Sequence, residues 1–238
     1  MADKQKVDVP TFVSFTETYH NKPYEFISPT RPELSAAGKN VVVAGGGTGI
    51  GKAIAIAFGQ AGAASVSILG RRIDRLEGAA KEIKAAGAGS KVLYESVDFS
   101  QRDKADAGLK KLAERVGKFD IFVWSAGIMP VIADVKGYDG DDFRRGLDLV
   151  VMGAFNAIQA VLPLSVEDLK VFHISTGIAH MKPIRGVFAY ATTKLAVVKL
   201  FDYLAAENPA LHVVNIQPGV ISSELNAETG VEGQDLRK

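Results

Sequence analysis

The stretch that decides the fold is Asn40-Val41-Val42-Val43-Ala44-Gly45-Gly46-Gly47-Thr48-Gly49-Ile50-Gly51. Its first part is a compact β-branched run, which is typical of a buried strand, and its second part is a glycine-rich turn. Gly45 permits a tight turn, Gly49 permits close approach of the backbone to a pyrophosphate, and Gly51 permits close helix packing. A helix that begins here adds free N–H groups that attract phosphate. The stretch predicts a nucleotide-binding turn; the alternative is a flexible loop.

The same alternation of apolar runs and amphipathic stretches continues along the chain. Predicted strands are residues 40–43, 65–69, 91–96, 121–124, 170–174 and 212–216, and predicted helices are residues 49–61, 73–86, 102–116, 141–162 and 189–207. Strands that alternate with helices in this way predict an α/β fold, namely a Rossmann-type doubly wound parallel β-sheet flanked by helices. Ligands of such sheets bind at the carboxyl ends of the strands. The residues just after each strand are therefore the candidate site.

The chain divides into an arm and one domain. Residues 1–38 show no sustained period, which predicts an N-terminal arm packed on the domain through its aromatic residues, Phe12, Phe15, Tyr19, Tyr24 and Phe26. A chain of 238 residues can bury one large core, so residues 39–238 are predicted to form a single nucleotide-binding Rossmann-fold domain.

Composition excludes several classes of partner. With 28 basic and 27 acidic residues, the chain has no broad field to attract nucleic acid or an anionic membrane. The uncharged run 53–70 contains glycines and polar residues, and fits two buried elements joined by a turn better than a membrane span. The absence of cysteine and of an apolar secretory segment favours a cytoplasmic protein. The four histidines lack metal-ligand spacing, so no metal is predicted, and a structural role is assigned to His173.

The residues after the second and third strands concern the choice of nucleotide. Arg71 and Arg72 follow the second strand, where a dinucleotide fold presents a side chain to the adenosine ribose. Arginine pairs with a 2′-phosphate, so NADP(H) is predicted; the alternative is a pair of solvated charges at a helix start. Asp98, followed by Phe99, can accept from the adenine amine or cap a helix.

Further motifs follow in a fixed order. They are Trp124-Ser125-Ala126-Gly127, Tyr190-Ala191-Thr192-Thr193-Lys194, and Pro218-Gly219 followed by Val220-Ile221. With the glycine turn and Asp98, this set resembles the short-chain dehydrogenase/reductase family over about residues 39–225, and it is similar to fungal members associated with secondary metabolism. Ala44, Trp124 and Ser125 depart from the family pattern. The predicted cofactor-binding residues are Gly45, Gly47, Thr48, Gly49, Ile50, Gly51, Arg71, Arg72, Asp98, Phe99, Ser125, Ala126, Gly127, Tyr190, Lys194, Pro218, Gly219, Val220 and Ile221.

Tyr190 and Lys194 form the candidate chemical centre. Residues four apart on a helix share a face, which places the Lys194 ammonium near the Tyr190 phenol. A free phenol titrates at about 10, and acid-base work near pH 7 predicts a lowered pKa, which a nearby cation favours. The resemblance implies a third catalytic group after the fifth strand, with Thr176 as first candidate and Ser175 as second. It also implies a water-holding asparagine in the long helix, where this chain has Val150.

The resemblance implies a lid over the substrate as well. The chain has 238 residues, so 19 follow Gly219, and we expect the C-terminal lid and the last strand to be short or missing. Met129 and apolar residues within 180–188 and 221–225 predict a pocket for an uncharged small molecule. We also expect a homo-oligomer, either a dimer or a tetramer.

The predicted function is NADP(H)-dependent reduction of a carbonyl or oxidation of an alcohol. Two alternatives stay open. A family member with non-redox chemistry, such as cyclisation or isomerisation, is favoured by Val150, Trp124 and Ser125. A non-enzymatic NADP-binding regulatory protein is disfavoured by the pairing of Tyr190 with Lys194.

Overall fold

The computed structural model describes residues 22–87, 89–221 and 223–227, together with Thr18 and His20. Within them, six strands form one parallel sheet in the order β3-β2-β1-β4-β5-β6. The strands are β1 (Asn40–Ala44), β2 (Ser65–Gly70), β3 (Lys91–Ser96), β4 (Phe119–Trp124), β5 (Ser165–Ile174) and β6 (His212–Ile216). The predicted doubly wound sheet is confirmed, with the reversal of strand order between β1 and β4.

Helices connect the strands and cover both faces of the sheet. They are α1 (Gly49–Gln60), α2 (Ile73–Ala86), α3 (Arg102–Val116), α4 (Gly140–Gly146), α5 (Gly153–Val161), α6 (Phe188–Glu207) and α7 (Glu224–Ala227). The predicted helix 141–162 differs, because a π-helical segment, Leu147–Met152, joins α4 to α5. The predicted strand 170–174 begins earlier, at Ser165, which pairs with Phe119 across a register shift in β4.

The sheet separates two apolar clusters. Val41 and Val43 of β1 belong to the cluster under α1 and α2, whereas Val42 and Ala44 belong to the cluster under α3, α5 and α6. All four side chains are fully buried. Burial on both faces explains why the first strand is an uninterrupted apolar run, as parallel strands require.

The described part of the N-terminal arm contacts the domain through its backbone. The Ala36 N–H donates to the Ala61 carbonyl at 2.8 Å, and the Ala36 side chain is buried. Tyr24 and Phe26 are 39% and 68% exposed, so the predicted anchoring by aromatic rings is wrong for these two residues. The other three aromatic residues of the arm lie outside the described residues, and the packing of the arm as a whole stays a prediction.

One helical run, residues 140–164, is long and apolar enough to cross a membrane by length and composition. Its Ala154, Ala157 and Val161 are buried in the apolar cluster beside the sheet. Core helices of this kind satisfy the same criterion, so the run carries no argument for a membrane span. The predicted division of residues 53–70 also holds, because α1 ends at Gln60 and β2 begins at Ser65.

Candidate active site

The glycine turn brings three pieces of backbone together. Gly45 and Gly49 have φ angles of +82° and +53°, which glycine adopts without steric cost. A Cβ on Gly45 would lie 2.6 Å from the Ala126 nitrogen, and a Cβ on Gly51 would overlap the Gly45 carbonyl oxygen. The start of α1 therefore packs against the loops after β1 and β4 with no side chain between them. Its first N–H groups have no acceptor within the helix, which suits a phosphate.

A cavity of about 790 Å³ lies at the carboxyl ends of the strands. Its size suits a sizeable organic ligand. Every residue predicted to bind the cofactor lines it, as do Thr176 and Ser175. The strand-end rule therefore located the cavity from the sequence alone. The contact of each residue with a cofactor stays a prediction.

Three arginines that follow β2, namely Arg71, Arg72 and Arg75, line this cavity. The Arg72 Nη1 lies 3.1 Å from Oε2 of Glu224, and the Arg75 Nη1 lies 3.3 Å from Oε1 of the same carboxylate. Arg71 has no ion pair within the described part of the chain and is exposed. Arg75 and Glu224 were missed by the sequence analysis. For Arg75 a signal existed, since it lies in the first turn of the predicted helix 73–86, directly after Arg71 and Arg72.

Asp98 does not cap α3, whose N-cap residue is Gln101, and its contact with adenine stays a prediction. It lines the cavity, and its Oδ1 accepts from the Ser100 N–H at 3.1 Å and the Ser100 hydroxyl at 2.7 Å. Burial raises the pKa of Asp98, but these hydrogen bonds and one from Gln101 outweigh burial and hold the pKa below its usual value. The carboxylate is thus ionised and able to accept a further hydrogen bond.

Tyr190, near the start of α6, is close to Thr176 at the end of β5. Burial raises the pKa of the Tyr190 phenol, and a hydrogen bond with Thr176 partly opposes the rise. The raised pKa is opposite to the predicted fall, because burial outweighs the surrounding polar groups. It keeps the phenol protonated, which a proton donor requires. Ser175 is buried, and its hydroxyl has no hydrogen-bond partner among the described residues. The hydrogen bond with Tyr190 therefore favours Thr176 over Ser175 as the third catalytic group.

Lys194 lies one helical turn after Tyr190 and is only 6% exposed. Its Nζ donates to the Ile174 carbonyl at 2.6 Å and lies 3.4 Å from Nε2 of His173. Burial lowers the pKa of Lys194 to about 8. The side chain is therefore an ammonium at pH 7, and its hydrogen bond to Ile174 holds it against the end of β5 where it lines the cavity.

Two departures from the family pattern belong to one apolar cluster. Val150, in the π-helical segment, and Trp124, at the end of β4, are both 1% exposed within it. The Trp124 ring packs edge-on against Phe99 at 5.3 Å between centroids. Its Nε1 has no hydrogen-bond partner in the described part of the chain. Trp124 and Val150 thus place apolar side chains in the core at two positions that depart from the family pattern.

The opposite end of the cavity is apolar. Met129 lines it as predicted, and so do Met181, Ile184, Val187 and Ile221. His180 is exposed and does not line it. The short helix α7 covers part of the opening, while residues 222 and 228–238, on which the prediction of a short lid and missing last strand falls, lie outside the described residues.

Comparison with known proteins gives concordant matches. The family profile described as short chain dehydrogenase matches residues 39–232. A short chain dehydrogenase of Pseudocercospora fijiensis is 32% identical over 225 residues, which cover 91% of this chain and 71% of that protein. One of Monascus ruber is 29% identical over 214 residues, which cover 86% and 69%. The resemblance to fungal members is confirmed.

Solved structures give the same result. A short-chain type dehydrogenase/reductase from Mycobacterium ulcerans has a TM-score of 0.77 and 33% identity, over 82% of this chain and 72% of that one. An alcohol dehydrogenase from Thermococcus sibiricus, complexed with 5-hydroxy-NADP, has a TM-score of 0.74 and 25% identity, over 80% of each chain. The glycine turn, the Tyr190-to-Lys194 motif and all six described strands lie within residues 39–232, which the family profile matches. The chain belongs to the short-chain dehydrogenase/reductase family of oxidoreductases, which use a nicotinamide cofactor.

Proposed function

We propose that this chain is a cytoplasmic, NADP(H)-dependent oxidoreductase that reduces the carbonyl group of an uncharged small molecule, or oxidises the matching alcohol. One observation carries the proposal. Tyr190, Thr176 and Lys194 line the same cavity as the glycine turn and Arg71. An acid, a hydroxyl and a cation thus share one chamber with a phosphate-binding helix start.

The side chains of this chamber have distinct tasks. When bound, NADPH supplies a hydride to the carbonyl carbon. Tyr190 and Thr176 hold the carbonyl oxygen by hydrogen bonds, and Tyr190 donates its proton as negative charge develops there. The Lys194 ammonium, one turn away, stabilises the phenolate that remains.

Preference for NADP(H) rests on the arginines after β2. At the position where an NAD-binding fold presents an acidic side chain to the ribose, this chain has Arg71. The pairs from Arg72 and Arg75 to Glu224 join half-exposed groups, and such pairs contribute at most about 1 kcal/mol each. A 2′-phosphate, with more charge and more acceptors, can replace the Glu224 carboxylate.

Fluorescence titration of the protein with NADPH and with NADH tests the choice of cofactor. We expect tighter binding of NADPH, and in Arg71→Ala a preference narrowed by roughly ten- to a hundredfold, because a charge-assisted contact is lost. Arg102→Ala, on the exposed start of α3 and ion-paired with Asp106, is the matched control and should change nothing. Equal affinities for the two nucleotides in the unmutated protein would overturn the assignment.

Activity is tested on a panel of uncharged ketones and aldehydes by loss of NADPH absorbance. Tyr190→Phe should bind NADPH normally and lower turnover by roughly 10² to 10⁴, the usual contribution of a positioned acid. Product formation without consumption of NADPH would instead support cyclisation or isomerisation in the same cleft. Binding without turnover of any kind would support the regulatory alternative.

We also propose a homo-oligomer formed through the long helices. Large apolar side chains are exposed on neighbouring helical segments, namely Met152 in the π-helical segment, Phe155 on α5, and Leu195 and Tyr203 on α6. Such side chains on neighbouring helices mark a contact surface. Light scattering should give a dimer or tetramer, and Phe155→Lys with Tyr203→Lys should give the monomer. A monomeric unmutated protein would refute this proposal.

A further inference from the structure

A chain of hydrogen bonds connects the protein surface to Lys194. Asp202, on α6, accepts from Nδ2 of Asn215 at 3.1 Å. The Asn215 Oδ1 lies 2.7 Å from Nδ1 of His173, and the His173 Nε2 lies 3.4 Å from Nζ of Lys194. The chain crosses from α6 through β6 and β5 and returns to α6 beneath the cavity.

The direction of every bond in this chain follows from its two ends. The Asp202 carboxylate only accepts, so the amide of Asn215 turns its NH₂ group to Asp202 and its oxygen to His173. The His173 Nδ1 must then carry the hydrogen and donate it to that oxygen. This leaves Nε2 as a bare acceptor, and the ammonium of Lys194, which has no acceptor lone pair, donates to it.

The imidazole is both neutral and immobile. His173 is fully buried, and its ring stacks on Phe201 at 4.7 Å with an interplanar angle of 10°. Burial and the nearby Lys194 charge lower the pKa of His173 to about 3, although the Asn215 hydrogen bond opposes them. At neutral pH the ring therefore offers Lys194 a lone pair and no competing charge.

An ammonium has three donors, and two of those of Lys194 are engaged on one side. The Ile174 carbonyl takes one at 2.6 Å and the His173 Nε2 takes another. Tetrahedral geometry then directs the third away from β5, on the side where Lys194 lines the cavity. We propose that His173, held by Asn215 and Asp202, is a positioning residue that aims the Lys194 ammonium at the reacting groups. The role of Lys194 in the reaction rests on the proposed function. The role of His173 in holding Lys194 rests on the contacts alone.

Few other ionisable groups of the described chain face this network. Tyr190 and Lys199 share α6 with Lys194 and Asp202, and the Lys199 Nζ pairs with Oδ2 of Asp202 at 3.2 Å. Asp148, on the π-helical segment packed against α6, is exposed, and Arg145 on α4 is ion-paired with Asp142 at 2.6 Å. The cation that His173 meets is therefore Lys194.

Long-range ¹H–¹⁵N spectra of protein labelled at histidine test the contact without any cofactor or substrate. We expect His173 as the Nδ1–H tautomer at pH 7, with an Nε2 shift that changes in Lys194→Met. The Nε2–H tautomer would overturn the proposal, because that nitrogen could not accept from an ammonium. An Nε2 shift that is the same in both proteins would overturn it equally.

A pair of variants tests the consequence for function. The amide of His173→Gln reaches the place of Nε2 and keeps an acceptor for Lys194, whereas that of His173→Asn reaches only the place of Nδ1. We expect His173→Asn to lower kcat/KM by about tenfold, the effect of one hydrogen bond to a charged group, and His173→Gln to retain most of it. Both lose the stacking on Phe201, so both should melt earlier. His212→Asn, exposed on β6, is the matched control.

Equal activity losses in the two variants, in step with their lost stability, would show that His173 only packs the core. Equal retention of activity would show that Lys194 needs no acceptor there. Failure of the unmutated protein to bind NADPH or NADH would overturn the proposed function instead, and the tautomer measurement would still decide whether His173 holds Lys194.

Discussion

Lys194→Met should remove activity and change how the stability of the protein depends on pH. Burial lowers the pKa of Lys194 from 10.5 to about 8. At about 1.4 kcal/mol for each pH unit, the buried charge costs about 3 kcal/mol of folding free energy. Methionine fills a similar volume without charge, but it leaves both the Ile174 carbonyl and the His173 Nε2 without their donor, which costs about 1 to 3 kcal/mol each. At pH 7 the gain and the costs nearly cancel, so we expect the free energy of unfolding to change by no more than about 1 kcal/mol.

The pH dependence of the free energy of unfolding gives the sharper test. Below pH 8 the folded and the unfolded chain both hold the Lys194 proton, so the full cost is present. Between pH 8 and 10.5 only the unfolded chain holds it, and the stability of the unmutated protein rises with pH. The methionine variant lacks this rise, so it should become less stable than the unmutated protein by up to about 3 kcal/mol over that window.

Urea unfolding at pH 7, 8, 9 and 10 measures the effect, with the fluorescence of the chain's one tryptophan, Trp124, as the probe. That side chain is buried in the core and reports on loss of packing. Lys81→Met, exposed on α2 and away from the Lys194 network, is the control for replacing a lysine by methionine. A difference between Lys194→Met and the unmutated protein that stays constant from pH 7 to 10 would refute the reasoning.

Three other substitutions have definite expected outcomes. Gly51→Ala should abolish NADPH binding and lower the melting temperature, because its Cβ overlaps the Gly45 carbonyl oxygen. The control is Gly78→Ala, which has open space around it and should be neutral or stabilising. A Gly51→Ala protein with unchanged NADPH binding and melting temperature would contradict the geometry. Val150→Asn should lose about 1 to 3 kcal/mol of stability for a buried amide without partners; a variant that is equally stable and turns over faster would reveal a water site. Glu224→Gln should tighten NADPH binding a few-fold and leave NADH binding unchanged, since its carboxylate competes for Arg72; an equal effect on both nucleotides in titrations would contradict that competition.

The fold followed from the sequence because its periodicity is strong. The run Val41–Ala44 is buried on both faces, as the strands of a parallel sheet covered by helices are. The site followed because strand ends meet at one edge of the sheet, wherever the strands lie in the chain. The π-helical segment was missed because five of the six residues in Leu147–Met152 are apolar, so a shift of helical phase there leaves no mark on the apolar pattern.

The network behind Lys194 could not be predicted in the same way. His173, Asn215 and Asp202 lie on three different elements, and each alone has an ordinary structural explanation. The assignment of a structural role to His173 was correct as to its burial but did not extend to its contact with Lys194. Glu224 likewise gains significance only through ion pairs with residues far away in the sequence.

The π-helical segment Leu147–Met152 also affects how this chain tolerates changes of length. A π turn accommodates one surplus residue in an otherwise α-helical rod, so deleting one residue within it restores regular helix and leaves α4 and α5 in their present phase. Deleting one residue within α5 would instead rotate everything after it by about 100° and turn Val161 out of the core. Homologues that differ by a single residue at this place are therefore expected to keep the same buried face.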